Sequence, residues 1–331
     1  MQTLKTKFIL KTLSVAFFFT AFSANSSLHA LDKFSVAGWS KPISEITNLL
    51  AEPDKGFFKA KGIDLGYVPG TGGGSAITNM LSGAADIAFT DPASFYQALD
   101  KGEKLIAIYN IYPQNVFNVV SPKSRNITKP LDLKGKKIGV YSLSSGTRQN
   151  LQVLLHQVGL TEKDVTIQVT GLLNFAPVIQ GQVDATAATD TGLYVGKLKG
   201  LKDVNVIEVK DYLNVPSDMF VVTEEMYDEK KDLLRRFLSA YKNCTQWMIN
   251  NPNEAAKIAK KRSINGRNES VNLEIIKIRN ISSISTTTEK QGLGHFDLDL
   301  LQKGAKTFKE LGLINKDIDI TKVVKSDLIP K

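Results

Sequence analysis

Leu81-Ser82-Gly83-Ala84-Ala85-Asp86-Ile87-Ala88 runs into Thr90-Asp91, and far along the chain Ile179-Gln180-Gly181-Gln182-Val183-Asp184-Ala185-Thr186 runs into Thr189-Asp190. Gly83 and Asp86 share the spacing of Gly181 and Asp184. Each stretch reads as a helix stopped by glycine, then a strand that delivers Thr-Asp at its carboxyl end. Two such units imply two similar lobes. Coincidence among common residues is the rival reading, because the Thr-Asp pairs fall one residue out of step.

Outward from these echoes the pattern alternates. Strands are expected at Lys33–Ala37, Ile63–Val68, Asp86–Phe89, Leu105–Asn110, Lys137–Tyr141, Val165–Val169 and Val183–Ala187. Between them lie helical stretches: one capped by Ser40 with Pro42 in its first turn, one capped by Ser75, one opened by Pro92, and one over Thr147–Val158. Leu234, Phe237, Leu238, Tyr241, Thr245 and Met248 mark one face of a helix in the last third. Strands alternating with helices give an α/β fold with largely parallel sheets. The 331 residues exceed the ~250–300 at which a single core stops growing, so two bodies fit better than one.

Lys5, Lys7 and Lys11 precede the apolar run Leu13–Phe22, and small residues follow through Ala30. This reads as a secretory signal peptide over residues 1–30, since the run is too short for the ~20 residues of a membrane span. Without those lysines the formal charge falls from +9 to +6. The remaining lysines alternate with acids, as in Glu229-Lys230-Lys231-Asp232, so no basic stripe for nucleic acid stands out. Cys244 is the single cysteine, which leaves no internal disulfide.

Three kinds of loop at strand carboxyl ends could hold a ligand, the place where open α/β sheets bind. Gly70-Thr71-Gly72-Gly73-Gly74-Ser75 precedes a helix and lets a ligand approach backbone N–H groups. Ser142-Leu143-Ser144-Ser145-Gly146-Thr147 does the same with hydroxyls added. Asp91 and Asp190 offer negative charge, or simply cap helices. Trp39, directly after the first strand, could form a flat wall. The glycine loop nearly fits a dinucleotide fingerprint, with Ser75 where the last glycine belongs. Only His156 and His295 lie beyond residue 30, and no metal cluster or nucleophile elbow is present, so an enzyme using a pyrimidine or dinucleotide is the lesser alternative.

Six segments together resemble a known family: Gly38-Trp39, Gly56–Leu65, Gly72–Ser75, Gly83–Ala88, Asp132–Val140 and Gly181–Ala185. In their order and spacing they are similar to the periplasmic substrate-binding proteins of ABC importers in the nitrate, sulfonate and thiamine-pyrimidine-precursor group. The resemblance implies the two-lobed type II periplasmic binding protein fold, closing like a flytrap, with crossings near Val116–Val120 and Met219–Val222. Residues 31–115 with 222–331 would form lobe 1, and 116–221 lobe 2. It implies a monomer in the periplasm that hands a small molecule to a membrane permease, with no cofactor, no metal and no catalysis. A sensory receptor would share the fold. The implied pocket draws on Trp39, Gly73, Gly74, Ser75, Asp91, Ser144, Ser145, Gly146, Thr147 and Asp190. Carboxylates beside an indole suit an amine-bearing heterocycle such as a thiamine pyrimidine precursor; sulfonate, taurine or nitrate is the alternative, which nearby acids would repel. The cysteine-rich signature of the fungal pyrimidine-synthesising relatives is absent.

Overall fold

The computed structural model describes residues 30–171 and 175–330. The expected signal peptide lies outside them, apart from Ala30. Ten strands form two sheets: β1 (Asp32–Ala37), β2 (Ile63–Val68), β3 (Ile87–Thr90), β4 (Leu105–Tyr112), β5 (Phe117–Pro122), β6 (Lys137–Val140), β7 (Thr166–Val169), β8 (Ala185–Thr189), β9 (Val204–Glu208) and β10 (Asp218–Thr223). The first sheet has the order β2-β1-β3-β10-β4 and the second β7-β6-β8-β5-β9. In each, four strands point one way and one runs against them, β10 in the first and β5 in the second. The two sheets are thus topological copies.

The echo in the sequence explains part of this likeness. Gly83 and Gly181 both adopt left-handed backbone, φ 76° and 71°, and end their turns. The Asp86 carboxylate accepts from the Ser35 N–H of β1 at 2.6 Å, and Asp184 accepts from the Lys137 N–H of β6 at 2.9 Å. Each aspartate N–H returns a bond to the carbonyl of that same strand residue. The two acids therefore pin the equivalent central strands.

Period-two alternation sends side chains to opposite sheet faces. Val36, Ile87, Phe89, Phe220 and Val222 enter one core with Phe237 and Tyr241 of the Lys231–Asn250 helix. Ala37, Ala88, Met219 and Val221 enter another with Phe95, Tyr96 and Phe308. The second sheet is covered likewise, Val119 and Ala187 on one side and Val120 and Ala188 on the other.

Several expectations shift. Val116–Val120 and Met219–Val222 supply most of strands β5 and β10 rather than crossings; the chain leaves the first sheet after Tyr112 and returns before Asp218. Ser40 caps no helix: its hydroxyl donates to the Lys41 carbonyl, and a short 3-10 turn starts only at Ser44. Ser75 is not a cap either, since the Gly73–Leu81 helix starts two residues before it. Free backbone at Gly72 lets the chain turn earlier than a side-chain cap would require.

Candidate functional site

The carboxyl ends of β1, β2, β3, β6, β7 and β8 converge on one cleft between the sheets. It encloses about 210 Å3, below the ~300–1,000 Å3 that houses drug-sized ligands. The antiparallel strands β5 and β10 begin where the others end, so Phe117 and Asp218 at their starts also face the cleft.

Of the expected residues, Trp39, Gly73, Asp91, Ser145, Gly146 and Thr147 line it, while Gly74, Ser75, Ser144 and Asp190 do not. Trp39 stands edge-on to Phe89, ring centres 6.3 Å apart. Its indole N–H is shielded from solvent and has no hydrogen-bond partner among the described residues. From the second lobe Phe117, Tyr141 and Phe175 add aromatic surface.

Asp91 serves two ends at once. It caps the Pro92–Asp100 helix by accepting the Ser94 N–H at 2.8 Å and the Ser94 hydroxyl at 2.9 Å. It remains almost wholly buried, and burial pushes its pKa up to about 6 against the help of Ser94. A Cβ on Gly73 would lie 1.9 Å from Asp91 Oδ2, so glycine at 73 leaves this carboxylate its place. Asp218 is the companion that the sequence did not single out. It is 8% exposed and its carboxylate has no hydrogen bond to another described side chain. Burial, then the nearby Asp91 charge, raise its pKa well above the usual carboxylate range.

The serine and glycine loops bind each other as well as lining the cleft. The Gly74 N–H donates to the Ser144 carbonyl at 3.1 Å, and the Ser142 hydroxyl donates to the Thr71 carbonyl. Gln149 Nε2 donates to the Ser94 hydroxyl at 3.0 Å nearby. At Gly74 and Ser144 the loops therefore spend on one another the polar groups expected to meet a ligand.

The opposite rim holds Arg279, on the Glu269–Ser282 helix. Its guanidinium is buried and donates to Glu45 at 2.8 Å, to Asp190 at 2.7 Å and to the Thr191 hydroxyl at 2.9 Å. Burial alone would lower its pKa; the Asp190 and Glu45 charges outweigh that and leave it above its ordinary value. Asp190 is thus an ion-pair partner. The register explains why: Thr189, not Asp190, caps the Asp190–Leu198 helix, so this aspartate is released from capping. That is the one-residue offset between the two Thr-Asp pairs. Among the described residues no group of His, Cys, Asp and Glu could hold a metal.

Residues 43–255 match the family described as NMT1/THI5 like. The chain belongs to this family. A formylaminopyrimidine-binding protein of Halalkalibacterium halodurans is 23% identical over 64% of this chain and 65% of its own length. The riboflavin-binding protein RibY of Chloroflexus aurantiacus is 22% identical over 83% and 80%. The 4-amino-5-hydroxymethyl-2-methylpyrimidine phosphate synthase THI12 of Saccharomyces cerevisiae is 23% identical over 66% and 67%. Apart from RibY, then, the match spans about two thirds of these relatives' own length. In fold, the alkanesulfonate-binding protein SsuA from Xanthomonas axonopodis pv. citri superposes with a TM-score of 0.68 at 15% identity, over 90% of this chain and 99% of that one. The two-sheet architecture is that of periplasmic binding proteins.

Proposed function

We propose that this chain is the periplasmic solute-binding component of an ABC importer and captures a small amine-bearing heterocycle, of the thiamine-pyrimidine-precursor kind, between its lobes. The observation that carries this reading is the Asp218 carboxylate, buried beside Asp91, while Arg279, the cation whose charge reaches it, is already paired with Glu45 and Asp190. A buried acid that no side chain among the described residues hydrogen-bonds is costly, and a ring amine offers both the charge and the N–H donors that offset the cost. Trp39 supplies a flat wall and an unused indole N–H for a ring acceptor. The buried guanidinium in the lining, Arg279, is already engaged by Glu45 and Asp190, so it is poorly placed to hold a sulfonate. A formylaminopyrimidine-binding relative and a pyrimidine phosphate synthase relative support the chemical class. The fold of the sulfonate-binding neighbour supports capture rather than turnover.

The test is a melting-temperature panel of aminopyrimidines, flavins, sulfonates, taurine and nitrate. A true ligand at ~100 times its dissociation constant adds about 2.7 kcal/mol of stability. An aminopyrimidine shift that is lost in Asp218→Asn supports the reading. A shift with anions alone overturns the heterocycle and leaves the binding-protein assignment standing; conversion of the pyrimidine to a new product would overturn capture without turnover.

A further inference from the structure

We infer that Arg279 is a positioning residue for capture: it clasps the two lobes together through Asp190 and Thr191, and so sets how often the cleft is shut, whatever the cleft holds. Glu45 follows the first sheet's opening strand, and the Glu269–Ser282 helix packs beside the 3-10 turn that bears it. Asp190 and Thr191 open the helix that follows β8 of the second sheet. Arg279 Nε reaches Glu45 Oε2 at 2.8 Å, while its two terminal nitrogens reach Asp190 Oδ1 at 2.7 Å and Thr191 Oγ1 at 2.9 Å. The ring closes when Thr191 Oγ1 donates to Glu45 Oε1 at 2.9 Å. Tyr112 covers one face of the guanidinium, 5.3 Å from its ring centre.

Every bond in this ring joins groups of the chain itself, so its formation needs nothing from a ligand. The planar fork of arginine meets three acceptors in fixed directions, and charge-assisted bonds of this kind are the strong ones. The Arg279 side chain is 2% exposed, so salt screens it little, whereas Asp190 is 35% exposed and can return to water when the lobes part. Opening therefore severs the Asp190 and Thr191 bonds and leaves Arg279 on Glu45. A two-state hinge biased in this way holds a bound solute longer, because release must first break the clasp.

The experiment uses the purified chain, stripped of small molecules by unfolding and refolding, and reads its radius of gyration by small-angle X-ray scattering. Three proteins are compared: wild type, Asp190→Asn and Thr191→Val, the last two altering only the second lobe's half of the ring. Wild type is expected to be the most compact, with both variants expanded and their melting temperatures within a few degrees of wild type. Should Asp190→Asn fail to fold, Thr191→Val carries the comparison alone. Equal radii overturn the clasp, as does a lower melting temperature without expansion, which is what a merely structural ion pair would give. Since no ligand enters the measurement, its outcome is independent of the heterocycle reading.

Discussion

A Cβ placed on Gly72 would lie 2.4 Å from the carbonyl oxygen of Ser144, on the facing lobe. No rotation of a side chain relieves such a clash, because the Cβ position is fixed by its own backbone and the other partner is a backbone carbonyl. Gly72 also has φ 129°, a conformation that L residues rarely adopt. Gly72→Ala is therefore expected to keep the lobes ajar while leaving each core intact. Isothermal titration with the ligand found by melting should show at least a ~10-fold weaker affinity, about 1.4 kcal/mol. Unchanged affinity would mean that this close approach plays no part in binding.

Asp218→Asn should separate stability from binding. The wild-type acid is held buried without a hydrogen-bonded side-chain partner among the described residues, so the amide should raise stability by ~0.5–2 kcal/mol, the usual size of a single stabilising change. Binding of an amine-bearing ligand should fall steeply. Denaturant unfolding and titration calorimetry on the same preparation check both halves.

The pH dependence has a defined sign. Asp91 titrates near 6 when folded, above its unfolded value of about 3.9. Between those values the folded chain holds the extra proton, so its stability falls as pH rises through the window. Asp218 acts in the same direction, since its folded pKa is also raised. The stability advantage of Asp218→Asn over wild type should therefore grow from pH 5 to pH 7.5. An advantage that is flat with pH would show that the carboxyl is already ionised throughout.

Trp39 allows its two contributions to be told apart. Trp39→Phe keeps an aromatic wall but removes the shielded N–H; Trp39→Ala removes both. A lost hydrogen bond is expected to cost ~0.5–1.5 kcal/mol of binding, and loss of the whole ring ~2 kcal/mol or more, as at a central anchor. Equal affinities for the two variants would assign the whole effect to the indole N–H.

Much of the architecture was legible in the sequence. The Gly-to-Asp spacing at 83–86 and 181–184 marks equivalent turns, and Ile63–Val68 is a strand with the limits its alternation suggests. What escaped has a physical cause. The rule that ligands meet strand carboxyl ends finds Trp39 and Asp91, but β10 runs backwards, so its cleft residue is the first one, Asp218. Nothing local marks that reversal; it follows from long-range pairing with β3 and β4. Arg279 was equally hidden, since an arginine in an amphipathic helix looks like a surface charge until Glu45 and Asp190 are brought to it. Gly74 and Ser144 were read as ligand donors because sequence shows that N–H groups are free locally, not that a carbonyl from elsewhere will take them.

Strands β3 and β4 are not neighbours; β10 lies between them. The second sheet draws only on residues between Phe117 and Glu208, a continuous stretch. The order of assembly is thus expected to invert the order of synthesis. The lobe begun first stays a sheet with a missing rung until Asp218–Thr223 arrives, while the lobe begun second can finish with what it has. Short-range pairings form faster than long-range ones, so pulse-labelled hydrogen exchange should find β6 and β8 protected before β4. For any partner that meets the growing chain, the surface exposed during that interval includes the open edge of β4, and the Arg279 side of the cleft is still to be made.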